Sequence, residues 1–228
     1  MNKEGDIQTL FPNAHNGVKK IYTAEILSLI TAILLAAAAV VGLFAAGLAE
    51  SGKTEADAAT AGAAGGFLLL FLAGGVLALI AFILNLVGII SAMKDESTFK
   101  NALIFTIVGI AASVLASSFS KNETVSSFIQ ILVNFSELFV SLFVVQGIMA
   151  LAARMNNSDM VERGNKVRWW LVITFAIPSL IKLISAVLML KKAEAVAEVL
   201  ALVAAVLTLV AYFIYLGYLS RAKKMLAA

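Results

Sequence analysis

The stretch FLLLFLAGGVLALIAFILNLVGIISAM, residues 67–93, contains no Asp, Glu, Lys or Arg. As an α-helix rising about 1.5 Å per residue, it outruns the roughly 30 Å hydrocarbon core of a bilayer. Working outward from it, comparable apolar runs occupy about 21–49, 102–120, 128–153, 169–190 and 197–219. The sequence therefore predicts an all-α polytopic membrane protein. A polar tail, 1–18, precedes a six-helix transmembrane bundle over 19–228.

Composition points the same way. Of 228 residues, 61% are hydrophobic and 14% charged, whereas a soluble domain carries about a quarter charged residues. There is no cysteine, which excludes disulfides, thiolate metal sites and cysteine nucleophiles. The polar residues 1–17 lack the apolar core of a cleaved signal peptide, so the first helix is expected to act as the membrane signal. The fifth and sixth spans are separated only by Lys191, Lys192, Ala193 and Glu194. One unbroken helix there would reach about 75 Å, so the chain must turn at that point.

Orientation follows from the basic residues. With six spans and the amino end inside, Lys3, Lys19, Lys20, Lys94, Lys100, Arg154, Arg163, Lys166, Arg168, Arg221, Lys223 and Lys224 are cytoplasmic. Only Lys53, Lys121, Lys191 and Lys192 are outside, and this bias places both termini in the cytoplasm of a multi-pass cell-membrane protein. Dispersal of these residues over short loops argues against nucleic acid as a partner despite the net charge of +3. Trp169 and Trp170 beside Arg168, and Tyr22 beside Lys20, stand where aromatic rings anchor helices at the interface. The first outer loop, 50–66, is expected to be an unstructured tether rather than a flap.

The even helices end alike, at Gly88, Gly147 and Gly217 each followed by a basic residue, and the odd helices each start at a basic residue. The chain thus reads as three two-helix hairpin repeats, although the shared needs of helix ends produce the same likeness. Small residues recur about every seven positions and predict packing faces. Helix one has Ala24, Ser28, Thr31, Ala38, Gly42, Ala45 and Ala49; helix two has Gly74, Ala78, Ala81, Asn85, Gly88 and Ala92; helix three has Ala102, Thr106, Gly109, Ser113, Ala116 and Ser120; helix six has Ala197, Ala201, Ala204, Thr208, Ala211, Tyr215 and Tyr218. Asn85 is expected to make an interhelical hydrogen bond. Glu25 is expected to partner nearby lysines.

Helix four breaks the pattern. Glu123, Ser127, Gln130, Asn134, Glu137 and Ser141 form a polar line from the outer surface to mid-membrane, continued by apolar Val144 and Ile148. Helix five answers with Thr174, Pro178, Lys182 and Ser185. Glu137 and Lys182 lie at similar depth, and either charge alone would cost about 2.5–3.5 kcal/mol near the centre. Gln130, Asn134, Glu137, Ser141, Lys182 and Ser185 are therefore the candidate ligand site. The alternative is a dry ion pair that fixes helix register, with Pro178 an ordinary kink.

Catalysis finds little support. His15 is the lone histidine, and Asp6, Asp57, Asp95 and Asp159 all lie in the tail or loops. No His-Glu-x-x-His, Gly-x-Ser-x-Gly or phosphate-loop motif occurs. The chain is expected to be no enzyme and to need no cofactor. A transporter of this kind would run on an ion gradient, work passively, or rely on separate energising subunits.

In layout the chain is similar to the substrate-binding membrane subunits of energy-coupling-factor vitamin importers, through its six spans, inside termini and Ala-rich first helix. That resemblance implies an outward pocket lined by the last three helices and a protein partner met by small residues of helix one, here Ala38, Gly42 and Ala46. The same triplet also serves ordinary helix packing. The expected function is transport or binding of a small molecule or ion, with a ligand-free assembly subunit as the alternative.

Overall fold

The computed structural model describes the backbone of residues 10–50, 56–119, 123–190 and 194–227, and the side chains of 10–47, 62–119, 125, 129–177, 203 and 206–227. The described chain is all helical: α1 Pro12–Glu50, α2 Ala56–Ala92, α3 Phe99–Ser118, α4 Glu123–Arg154, α5 Ser158–Leu190 and α6 Glu194–Met225. Each helix holds one of the apolar runs, although α2 ends at Ala92 and α3 at Ser118, each just short of the expected span end. Among the described residues four stretches are long and apolar enough to cross a membrane: Pro12–Gly47, Gly62–Ala92, Phe99–Ser118 and Ile129–Arg154.

Several helices start well before their spans, α5 at Ser158 among them. α1 starts at Pro12, where the missing proline N–H removes one donor that a helix start leaves without an intrahelical partner. α2 starts at Ala56, so the expected tether over 50–66 is helical in its second part. Its Ala-rich sequence has the strongest intrinsic helix propensity, and that outweighs its lack of bulky side chains.

The chain divides into two compact units, residues 20–87 and residues 1–19 with 88–228. Unit 20–87 is an antiparallel hairpin. Gly42 faces the Phe67 ring and Gly74 faces Leu35, so one partner descends as the other climbs. The seven-residue stripes are its seam: Ala24, Thr31 and Ala38 on α1 and Gly74 and Ala81 on α2 are buried, while Ala78, Ser28 and most large aliphatic residues are exposed. Small side chains on the seam and large ones outside is the arrangement expected where lipid replaces water. Asn85 departs from expectation. Its Oδ1 is buried without a hydrogen-bond partner among the described residues, because the Ala and Gly side chains that let helices close up supply no donor.

In the other unit α3 packs on α4, α4 on α5, and α5 on α6. Phe105 of α3 stacks on Phe139 and Phe143 of α4, and Phe135 meets Phe175 of α5 at 4.6 Å between ring centroids. Gly109 lies against Ser136. The three look-alike glycines are not equivalent: Gly147 carries the fully buried Phe99 ring, Gly88 receives Gly17, and Gly217 has open space around it. The helix-end motif therefore serves a different contact in each hairpin.

Candidate functional site

A cluster of polar contacts lies where α1 begins, α2 passes into α3, and α4 ends. Asp95 accepts the Ala14 N–H at 2.7 Å and the Asn13 amide at 2.9 Å. A helix amino end presents unsatisfied N–H groups and partial positive charge, so a carboxylate from a distant segment caps it well. The next residue, Glu96, turns the other way. It accepts the Thr98 N–H and Oγ1 at the start of α3, and it is 4% exposed. Its Oε2 lies 2.6 Å from Arg154 Nη2, a contact of charge rather than an aligned hydrogen bond. Arg154 also donates to the Asp95 carbonyl at 3.1 Å. Two consecutive carboxylates thus tie three helix ends together.

A close approach completes this end. A Cβ on Gly17 would lie 2.5 Å from the Gly88 carbonyl oxygen and 2.6 Å from the Ala92 nitrogen, so only glycine lets α1 and α2 meet there. Above α4, Asn157 N–H reaches Ala152 O and Asn156 N–H reaches Ala153 O, with Asn156 left-handed at φ 54. This double closure ends a helix, and asparagine is the non-glycine residue most at ease in it. Asn157 then caps α5 by accepting the Met160 N–H at 3.1 Å. A shallow depression of about 560 Å³ lies beside this turn, lined by Asn156, Asn157, Glu162 and Asn165 among others.

At the start of α5, Asp159 binds Arg163 at 2.7 Å and Glu162 binds Lys166 at 2.6 Å. The hydrogen bond from Arg163 holds the Asp159 carboxyl below its ordinary range, and that from Lys166 does the same for Glu162. In the sequence these bases count only toward the orientation of the chain. The i to i+4 spacing of acid before base would have found both pairs.

The site expected from sequence is placed in part. Gln130 Nε2 and Asn134 Oδ1 approach to 3.4 Å along α4, and the Ser141 hydroxyl donates to the Glu137 carbonyl. Glu137 is exposed, and its carboxylate has no ion pair among the described residues. Val144 and Ile148, which continue the line, are fully buried. The side chains of Glu123, Ser127, Pro178, Lys182 and Ser185 lie outside the described residues, as does the turn at 191–193. On α5, Thr174 turns its hydroxyl back to the Trp170 carbonyl at 2.7 Å. Of the α1 triplet, Ala38 is buried, Gly42 packs on Phe67, and Ala46 is exposed. No group of three or more His, Cys, Asp or Glu that could hold a metal occurs among the described residues.

These helices define an all-α chain with long apolar surfaces suited to a bilayer. Comparison with protein-family models, curated proteins and solved structures finds no match to the chain.

Proposed function

We propose that this chain is a multi-pass cell-membrane protein, both termini cytoplasmic, that binds or transports a small molecule or ion through a polar pocket open to the outside between α4, α5 and α6. One observation carries the reading: the exposed Glu137 carboxylate on a candidate span, one turn from Asn134 and two from Gln130. A carboxylate at that depth is costly unless a counter-charge, water or a ligand meets it. Lys182 and Ser185 join the site by their sequence position on α5.

A second reading, a ligand-free assembly subunit, is favoured by the buried seam of Ala24, Thr31, Ala38, Gly74 and Ala81, whose small side chains serve helix packing. A thermal-stability screen of metabolites and ions on the detergent-purified protein separates the two. A compound that stabilises wild type but not Glu137→Gln is the expected result. If nothing in the screen stabilises the wild type selectively, the binding reading falls.

A further inference from the structure

α3 and α5 enter the apolar region from the same end of their unit. Phe99 of α3 packs on Gly147, and Gly164 of α5 packs against Met149, two residues further along α4. Both helices run antiparallel to α4, since Gly109 meets Ser136 and Phe175 meets Phe135 further along. Lys100 and Arg168 therefore stand at the same height to within about one helical turn, roughly 5.4 Å. Beyond each, the exposed strip becomes apolar, at Ile104 on α3 and at Val172 and Ile173 on α5.

These two cations differ from their neighbours. Arg163 and Lys166 are each neutralised by an acid four residues earlier. Four residues before Arg168 stands Gly164, which carries no acid and packs against Met149 and the Tyr218 hydroxyl. Four residues before Lys100 stands Glu96, turned inward to Thr98 and Arg154. Lys100 and Arg168 are exposed and have no ion pair among the described residues. Trp169, 69% exposed, and Trp170, 43% exposed, directly follow Arg168 and mark the headgroup level, where amphipathic rings settle.

We propose that Lys100 and Arg168 bind the phosphate groups of anionic phospholipids, with Trp169 and Trp170 seated among the same headgroups. The inference rests on the membrane reading above. The unneutralised cations supply the charge complementarity, and the exposed apolar residues one turn deeper receive the acyl chains. A basic residue at an anionic surface strengthens lipid attraction about fivefold.

The two tryptophans are the only ones in the chain, so their fluorescence reads this site directly. The full-length protein is reconstituted in phosphatidylcholine vesicles containing a fixed fraction of brominated phosphatidylglycerol or of brominated phosphatidylcholine. Brominated phosphatidylglycerol should quench more strongly at equal mole fraction. The excess should vanish in a Lys100→Gln and Arg168→Gln double variant and survive in Arg168→Lys and in Lys224→Gln. Millimolar inorganic phosphate should leave it unchanged. Equal quenching by both lipids in wild type, an undiminished excess in the double variant, or release by inorganic phosphate would each overturn the proposal. Quenching by neither lipid would overturn the membrane reading itself.

Discussion

Arg154, the last residue of α4, reaches back 58 positions to place Nη2 2.6 Å from Oε2 of Glu96 in the turn between α2 and α3. Glu96 is 4% exposed, whereas the Arg154 side chain is about half exposed. A carboxylate that far from water depends on each donor it retains, so the pair matters more to Glu96 than to its partner.

Removing the arginine should therefore destabilise the fold. Arg154→Ala leaves Glu96 with the two Thr98 donors only and should cost about 1–3 kcal/mol. Arg163→Ala, which breaks a solvent-exposed pair, should lower the melting temperature in detergent far less. A loss from Arg163→Ala as large as that from Arg154→Ala would show that burial of Glu96 does not set the strength of the contact.

Two glycine replacements should act in opposite directions. Gly17→Ala sets a methyl against the Gly88 and Ala92 backbone, which cannot rotate aside, so it should separate α1 from α2 and lower thermal stability. Gly217→Ala meets nothing within 4 Å and should stabilise α6 by about 0.5–1 kcal/mol through helix propensity. Differential scanning fluorimetry of both variants is the check, and a stabilised Gly17→Ala would contradict the close approach.

The pH dependence follows from the start of α5. Asp159 and Glu162 have folded-state values below 3.8 and 4.5, their ordinary ones. Depressed values mean that the stabilisation is fully present above the ordinary values and is lost as pH falls through the folded ones. Their contribution should be constant between about pH 8 and 5 and should decline below about 4. Monitoring melting temperature against pH for wild type and for an Asp159→Asn, Glu162→Gln variant tests this. The acid-side decline should be shallower in the variant, and high salt should weaken it in wild type.

The proposed orientation can be checked without a background of native thiols, because the chain has no cysteine. A cysteine at Ala58 should react with an impermeant maleimide on intact cells, and one at Ser158 only after permeabilisation. The reverse pattern would invert the topology.

All six helices were legible in the sequence because hydropathy over about 20 residues is a local property. The seam of α1 and α2 was legible too, since Ala24, Thr31, Ala38, Gly74 and Ala81 repeat at the period of one helix face. The stack of Phe135, Phe139 and Phe143 has a regular four-residue spacing, but in a chain this apolar such spacing does not distinguish a ring stack from ordinary lipid-facing residues. The helix starts at Pro12 and Ala56 were missed because hydropathy finds the span and is blind to the helix beyond it. The meeting of Asp95, Glu96 and Arg154 was beyond local reading: no spacing rule links residues 58 or 81 positions apart. Pairing of Glu137 with Lys182 is the remaining sequence expectation, and Lys182 lies outside the described side chains.

The joint at Asp95 and Glu96 also sets an order of events during synthesis. The first helix receives its cap from a residue made 81 positions after Ala14, when α2 has already been translated. Glu96 then waits for Arg154, which exists only once α4 is complete. Two neighbouring acids thus record progress through the chain, one signing off the first hairpin and the other the second. A chain truncated before residue 95 would have a first helix with an uncapped beginning.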